Sequence, residues 1–429
     1  MTFGFCRRAR SRPGLAAWAS LILALTTAGA AWAQSPALDL AEALSRASAA
    51  DPAVAGWDAR IAAAEANLRQ ATMKPNPSLG VELENFAGTG THSLLDRTEA
   101  TLSYQQTLER GGKREARTAR ARAEMELARR RREVRRLDLL KEVQVAYAEA
   151  LAAEAELLIA DARLLAAQSA QRDIDRRVRS ARDPLFAGSR AEAATAQAEI
   201  ERDQARAAAQ DARATLARHW GGGPAFSLEL ETFFGVTVAG SPGPVAPTDL
   251  ALLEAERDIA LARVRVEQAQ AVADPTVRAG VRYFGDGSDV AFVVGGSIPL
   301  RRHDANQAGI ERALAERNAA EADIAAERIV REREIARLTA RLSATATEAE
   351  RIRAEVIPSA IRAVEQVRDG FNRGAFQYLN VTEAERALAD ARARRVAVLR
   401  QHHLDRAAID RLTGRHASLA SSNLNAERR

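Results

Sequence analysis

Pro77-Ser-Leu-Gly-Val-Glu-Leu-Glu-Asn-Phe86 and Glu99-Ala-Thr-Leu-Ser-Tyr-Gln-Gln106 alternate apolar and polar side chains with a period of two, the pattern of strands with two unlike faces. Leu79, Val81 and Leu83 share one face, and Ser78, Gly80, Glu82 and Glu84 the other. Ala100, Leu102 and Tyr104 likewise oppose Glu99, Thr101, Ser103 and Gln105. Nearly two hundred residues later the pattern returns. Val277, Ala279, Val281 and Tyr283 oppose Arg278, Gly280 and Arg282, and a Gly-rich strand carrying Phe292, Val294 and Ile298 follows. Strands of about ten residues suffice for a tilted membrane crossing. Four strands cannot close a barrel, which needs about eight or more, and an open edge is too costly in lipid. The chain is therefore expected to oligomerise through its strands. The competing reading is a pair of soluble hairpins that cap a coiled coil.

The segments between the strands read as very long helices. Leu38 to Met73 has helical spacing, with Asp51-Pro52 as a break, and stops at Lys74-Pro75-Asn76-Pro77. Lys113 to Ser180 contains neither proline nor glycine, so it is expected to be one helix of roughly 100 Å at 1.5 Å per residue. Arg182 to Gly188 turns the chain, and Ser189 to Trp220 runs back. The second half repeats the order with Asp249–Ala273, a helix from Asp304 to Asp369 that Pro358 bends, the turn Gly370-Phe-Asn-Arg-Gly374, and Leu379–Leu412. The chain thus divides into a first repeat at 34–220 with its strand pair at 77–106, a Gly/Pro-rich equatorial linker at 221–247, and a second repeat at 248–414 with its strand pair at 275–299. A tail at 415–429 follows. Half-length helices stacked end to end would match each long one, with all strands at one end of a rod and both helical turns at the other.

Composition agrees with this class. Charged residues are 28 % and aromatic residues only 4 %, a balance closer to long helices than to a mixed core. The net charge of +5 invites a nucleic-acid partner, but Arg7, Arg8, Arg10 and Arg12 account for most of it. Without residues 1–33 the chain has 58 basic and 57 acidic side chains, so no basic-patch argument stands. Residues 1–33 read as a secretory signal: four arginines, an apolar stretch from Leu15 to Ala31, and a small-residue exit at Ala31-Trp32-Ala33. A membrane anchor would need a longer apolar run. Cys6, the only cysteine, precedes the apolar stretch, which excludes a lipoprotein cysteine and leaves the mature chain without thiols.

No site for chemistry survives inspection. Gly111-Gly-Lys-Arg114 lacks phosphate-loop spacing and reads as a strand-to-helix exit. His92, His219, His303, His402, His403 and His416 never reach metal-ligand spacing. Runs such as Arg129-Arg-Arg-Arg132 read as solvated helix faces with i,i+4 pairs. No enzymatic activity, cofactor or metal site is expected. Glu82, Glu84, Arg278 and Arg282 are candidates for a pore face, where charged rings bias ion passage.

At these spacings Leu40-Ala-Glu-Ala-Leu44, Asp51-Pro52, Pro75-Asn-Pro-Ser-Leu79 and Gln106-Thr-Leu-Glu-Arg-Gly-Gly-Lys-Arg114 resemble the TolC-like outer-membrane efflux proteins. So do Ser297-Ile-Pro-Leu300, Asn306-Gln307, Gly370-Phe-Asn-Arg-Gly374 and Arg411-Leu-Thr-Gly414. Glu84-Asn85 with Glu109 to Arg114 is most similar to the heavy-metal branch, the outer-membrane components of cobalt–zinc–cadmium export systems. The resemblance covers almost the whole mature chain. It implies a homotrimer in the outer membrane of a Gram-negative cell, Sec-exported, with a twelve-stranded β-barrel of four strands per chain. A twelve-helix tunnel then extends into the periplasm and docks on an adaptor fed by an inner-membrane pump.

Carried over, the resemblance places an aromatic aperture position at Phe371, beside Gly370 and Gly374, and acidic-ring positions at Asn380 and Glu383. Adaptor contact falls at Pro184, Leu185 and Gly188, with Ala181-Arg-Asp-Pro-Leu185 standing where the family usually has a glycine–hydrophobic pair. Helix-hairpin capping by glycine is the bland alternative. The function expected is passive export of heavy-metal cations; ducts for organic drugs or type I protein secretion are the runner-up. A periplasmic adaptor or structural coiled coil is disfavoured because no β-rich lipoyl-like domain is found.

Overall fold

The computed structural model describes residues 37–50, 53–90, 97–236, 243–300 and 302–419. The expected secretory signal, Asp51-Pro52, His92 with most of its loop, and the last ten residues of the tail lie outside the described residues.

The alternating segments form β2 (Ser78–Glu84), β3 (Glu99–Thr107), β5 (Thr276–Phe284) and β6 (Val290–Ser297), after a short β1 (Ala37–Leu38) and β4 (Ser227–Leu228). β2, β3, β5 and β6 make one antiparallel sheet in that order, so the two repeats join through β3 and β5. Three registered rows run across all four strands on one face: Leu79–Tyr104–Ala279–Val294, Val81–Leu102–Val281–Phe292 and Leu83–Ala100–Tyr283–Val290. Residues on the opposite face are crowded. A Cβ on Gly280 would lie 2.5 Å from Leu102 O, so only glycine lets the strands approach there.

Beneath the sheet runs the rod. α3 (Lys113–Arg179) is a single helix of 67 residues. α2 (Ala53–Ala71) lies along the half of α3 next to the sheet, and α4 (Leu185–Arg218) along the half beyond. Ion pairs record the stacking: Arg129–Glu65 (3.5 Å) and Arg132–Asp58 (3.2 Å) reach α2, while Arg163–Glu201 (2.8 Å) and Arg213–Glu154 (3.2 Å) reach α4. The second repeat follows suit. α6 (Pro247–Gln270) and α9 (Tyr378–Thr413) stack along α7 (Gln307–Arg351) and α8 (Ile357–Asn372). Between α7 and α8 lies a π-helical stretch, Ile352–Val356, just ahead of Pro358. The missing proline N–H relaxes the ladder there, so the backbone widens rather than breaks.

The strand-to-helix exits differ in residue but agree in backbone. Gly112 and Asn306, which cap α3 and α7, both adopt left-handed conformations (φ 72° and 59°). Neighbouring Gly111 is also obligatory for space, because a Cβ would sit 2.6 Å from Val272 Cβ. Asn306 tolerates positive φ and gains hydrogen bonds to the carbonyl and carboxylate of Glu267 (2.9 and 2.7 Å).

The main core lies at the equator of the rod. Leu137, Leu140, Val143, Tyr147 and Leu151 recur on one face of α3, and pack with Leu38 and Leu44 of β1 and α1 (Leu40–Ala50) and with Val396 and Leu399 of α9. The segment read as a bare linker supplies β4 and α5 (Leu230–Phe234), and its Phe226 and Phe233 are buried in this same core. The buried Tyr147 hydroxyl donates to Leu38 O (3.0 Å), and burial pushes the phenol up to about 12.

Buried charge fastens the same level. Asp249 of α6 accepts a forked pair of hydrogen bonds from Arg411 of α9 (2.6 and 3.0 Å) and pairs with Arg331 of α7 (2.8 Å). Arg411 also donates to Asp138 of α3 (2.6 Å), so one cluster links four helices from both repeats.

Candidate functional site

Two surfaces stand out, one at each end of the molecule. At the sheet end the apolar face is almost wholly uncovered; Phe292 is 88 % exposed and Val294 83 %. Among the described residues no helix is long and apolar enough to cross a membrane. Glu82, Glu84, Arg278 and Arg282 all lie on the opposite face, as their alternation predicts. They come together there. Arg282 pairs with Glu84 and with Glu99 (2.7 Å each) and donates to Thr101 Oγ1 (2.9 Å), while Arg278 lies 3.6 Å from Glu82. Three carboxylates thus face two guanidinium groups. Glu99 and Thr101 were not singled out from sequence; their parity on β3 was the available signal.

At the far end of the rod the two helical turns meet. The first ends α3 with Ala181 in a left-handed conformation (φ 54°), and Arg182 N–H donates to Arg177 O (2.9 Å). The second ends α8 with Gly374 (φ 81°), and Ala375 N–H donates to Gly370 O (2.8 Å). Both are helix stops of the same hydrogen-bond pattern. Gly370 and Gly188 do not supply positive φ. Gly370 is helical and buried, and makes room for the Phe376 ring, which a Cβ would meet at 2.1 Å. Gly188 lies inside α4, because the helix begins at Leu185, earlier than the expected Ser189. Pro184 immediately precedes it, where its fixed φ suits helix entry.

Within its own chain Phe371 is 5 % exposed, packed with Ile174, Ala191 and Val381. The physical reason is the corner itself: two helix hairpins that meet need an apolar plug, and this ring fills it. Arg177 seals the plug from α3. Its guanidinium sits 4.4 Å from the ring centroid, donates to Phe371 O (2.9 Å), and is held by Asp183 (2.7 Å). The exposed apolar side chains of the tip are instead Leu185, Phe186, Phe376 and Leu379. Asn380, expected in an acidic ring, accepts Gln377 N–H (3.2 Å) and so caps α9. Glu383 is exposed and has no ion-pair partner among the described residues. Above the tip, a cavity of about 710 Å³ separates the α3–α4 hairpin from the α8–α9 hairpin, lined in part by Ala162, Ala166, Ala194, Val364, Arg368 and Tyr378.

Among the described residues no three His, Cys, Asp or Glu side chains gather as a metal site would need. His402 and His403 stand edge to face, one bonded to Leu342 O (3.2 Å) and the other to Phe233 O (3.0 Å).

Among solved structures, the chain is similar to the outer membrane protein VceC of Vibrio cholerae, with a TM-score of 0.70 at 21 % identity over 87 % of this chain and 96 % of that one. CusC gives a TM-score of 0.72 at 15 % identity over 90 % and 94 %. At such identities the likeness shows the fold. Among sequence relatives, the cobalt-zinc-cadmium resistance protein CzcC of Cupriavidus metallidurans is 28 % identical over 361 residues, 82 % of this chain and 84 % of that protein. The nickel-cobalt-cadmium resistance protein NccC of Alcaligenes xylosoxydans is 30 % identical over 280 residues, 62 % of this chain and 61 % of that protein. The family model for outer membrane efflux proteins matches residues 43–222 and 248–415, which span both repeats. The chain belongs to the outer membrane efflux protein family.

Proposed function

We propose that three copies of this chain form one outer-membrane duct that passively exports divalent heavy-metal cations, delivered by an inner-membrane pump through a periplasmic adaptor. The observation that carries this reading is the four-stranded sheet with a continuous exposed apolar face and unpaired edges at β2 and β6. Each unpaired backbone group in lipid costs several kcal/mol, so the edges must meet further copies. Three copies supply twelve strands, enough to close a barrel. The face with Glu82, Glu84, Glu99, Arg278 and Arg282 then lines the lumen in threefold rings. Its surplus of carboxylates over guanidinium groups favours cations.

The tip suits an adaptor contact. Pro184 and Leu185 with Phe186, Phe376 and Leu379 present apolar surface, Gly374 and Asn380 shape the second turn, and Glu383 adds a free carboxylate. Gly188, Gly370 and Phe371 support that surface from within. No catalytic step or cofactor enters this reading; energy comes from the pump. The metal assignment is supported by the resistance proteins the chain resembles. Growth of a deletion strain on graded Co²⁺, Zn²⁺, Cd²⁺ and Ni²⁺, beside dyes and antibiotics, tests it. Sensitivity to metals alone, restored by the intact gene, is expected; sensitivity to organic compounds alone overturns the substrate.

A further inference from the structure

The apolar face does not end with the sheet. Toward the helices, Met73, Leu108, Ile298 and Leu300 continue it in the segments that join strands to helices, and Leu300 is 89 % exposed. Leu108 follows Leu102 and Tyr104 on the even parity of β3, and Ile298 and Leu300 follow Phe292 and Val294 on that of β6. The strand ends are level, since Thr107 pairs with Thr276 and Thr276 with Ser297. These side chains therefore form one collar at the base of the sheet.

Beside three of the four apolar residues of the collar stands a cation. Lys74 adjoins Met73, Arg110 lies two residues past Leu108, and Arg302 two past Leu300, all exposed. Other cations nearby are already engaged: Lys113 with Asp274 (2.6 Å) and Arg117 with Glu109. Asp274 also accepts Arg110 N–H (2.9 Å), and Asp304 accepts Asn306 N–H (2.7 Å). The side chains of Lys74, Arg110 and Arg302 have no acidic partner among the described residues. On the rod, by contrast, arginines sit in strings of ion pairs such as Arg130 with Glu126 and Glu133.

Apolar side chains at the rim of a lipid-facing surface, interspersed with three unpaired cations, fit one partner. We propose that this collar binds anionic phospholipid headgroups of the periplasmic leaflet, with Lys74, Arg110 and Arg302 on the phosphates and Met73, Leu108, Ile298 and Leu300 among the upper acyl chains. The proposal rests on the outer-membrane placement of the sheet.

The test uses the purified oligomer in nanodiscs of phosphatidylcholine, with and without phosphatidylglycerol. Lipid retained after gel filtration is counted, and the thermal midpoint is recorded. A cation at the surface is worth roughly a fivefold preference for anionic lipid. Wild type is expected to enrich phosphatidylglycerol severalfold and to melt higher with it, an effect that weakens with salt. Combined Lys74→Gln, Arg110→Gln and Arg302→Gln should abolish the enrichment and leave the midpoint in phosphatidylcholine unchanged. Arg110→Lys with Arg302→Lys, which keeps the charge, should retain it. Equal enrichment in the neutralised variant, or none in wild type, overturns the proposal. So does inorganic phosphate that reproduces the stabilisation in phosphatidylcholine discs. A protein that does not enter discs of either composition overturns the placement instead.

Discussion

Replacing Arg177 by methionine removes the contact that joins the two turns at the tip. The hydrogen bond from a charged guanidinium to Phe371 O contributes about 1.5–3 kcal/mol, and its stacking over the Phe371 ring about 0.5–2 kcal/mol. Asp183 orients the guanidinium from the α3 side and does not itself bridge the hairpins. The clasp thus favours joined hairpins by about 2–5 kcal/mol per chain, a factor of roughly 30–5,000 in that equilibrium. Methionine retains length and apolar volume, so the plug of Ile174, Ala191, Phe371 and Val381 stays covered. Single-channel recording of the reconstituted oligomer is the assay. Arg177→Met should raise open probability markedly, Arg177→Lys should lie between because a point charge loses the fork, and Asp183→Asn should give a smaller rise. If all three conduct like wild type while their circular dichroism is unchanged, the clasp is packing alone and does not restrain the tip.

Asp249→Ala should lower stability by about 3–5 kcal/mol, because Arg411 and Arg331 lose a buried partner; thermal melting in detergent should show Asp249→Leu with Arg411→Met and Arg331→Met far less damaged than the single change. His402 is held down to about 4, first by burial and then by the neighbouring His403. The unfolded imidazole takes up its proton near 6.5, so this contribution is full above pH 6.5 and is lost as pH falls toward 4, by up to about 3 kcal/mol. Melting at pH 8 and pH 4.5 should therefore diverge less in His402→Gln than in wild type. Ala181→Gly should stabilise by about 1 kcal/mol, since a left-handed alanine becomes a glycine, and Gly374→Ala should cost a similar amount. Val281→Lys, in the middle row of the apolar face, should cost about 2–4 kcal/mol if that face meets lipid, read as loss of assembled oligomer from outer-membrane fractions.

Alternation in four short segments, and the long stretches without proline or glycine, were enough to determine the two faces of the sheet and the existence of the long helices. Both signals are local: strand parity and helix continuity depend on a residue and its near neighbours. Glu82, Glu84, Arg278 and Arg282 could be placed on one face for that reason, but not the pairing of Arg282 with Glu99 and Thr101. That pairing needs the β3–β5 register, which joins residues from different repeats. The fate of Phe371 was equally hidden. A motif at a turn marks where a ring lies along the chain, while Arg177, Ile174 and Ala191 come to it from another hairpin. Phe226 and Phe233, within an apparent linker, were missed because a few aromatics in a stretch bounded by glycines and prolines have no period to read. Sequence alone thus determined the elements and their faces, since these follow from spacing along one strand or helix. Tertiary structure decided which charges meet, which aromatic is buried and which cations stand free, because those depend on packing between segments far apart in the chain.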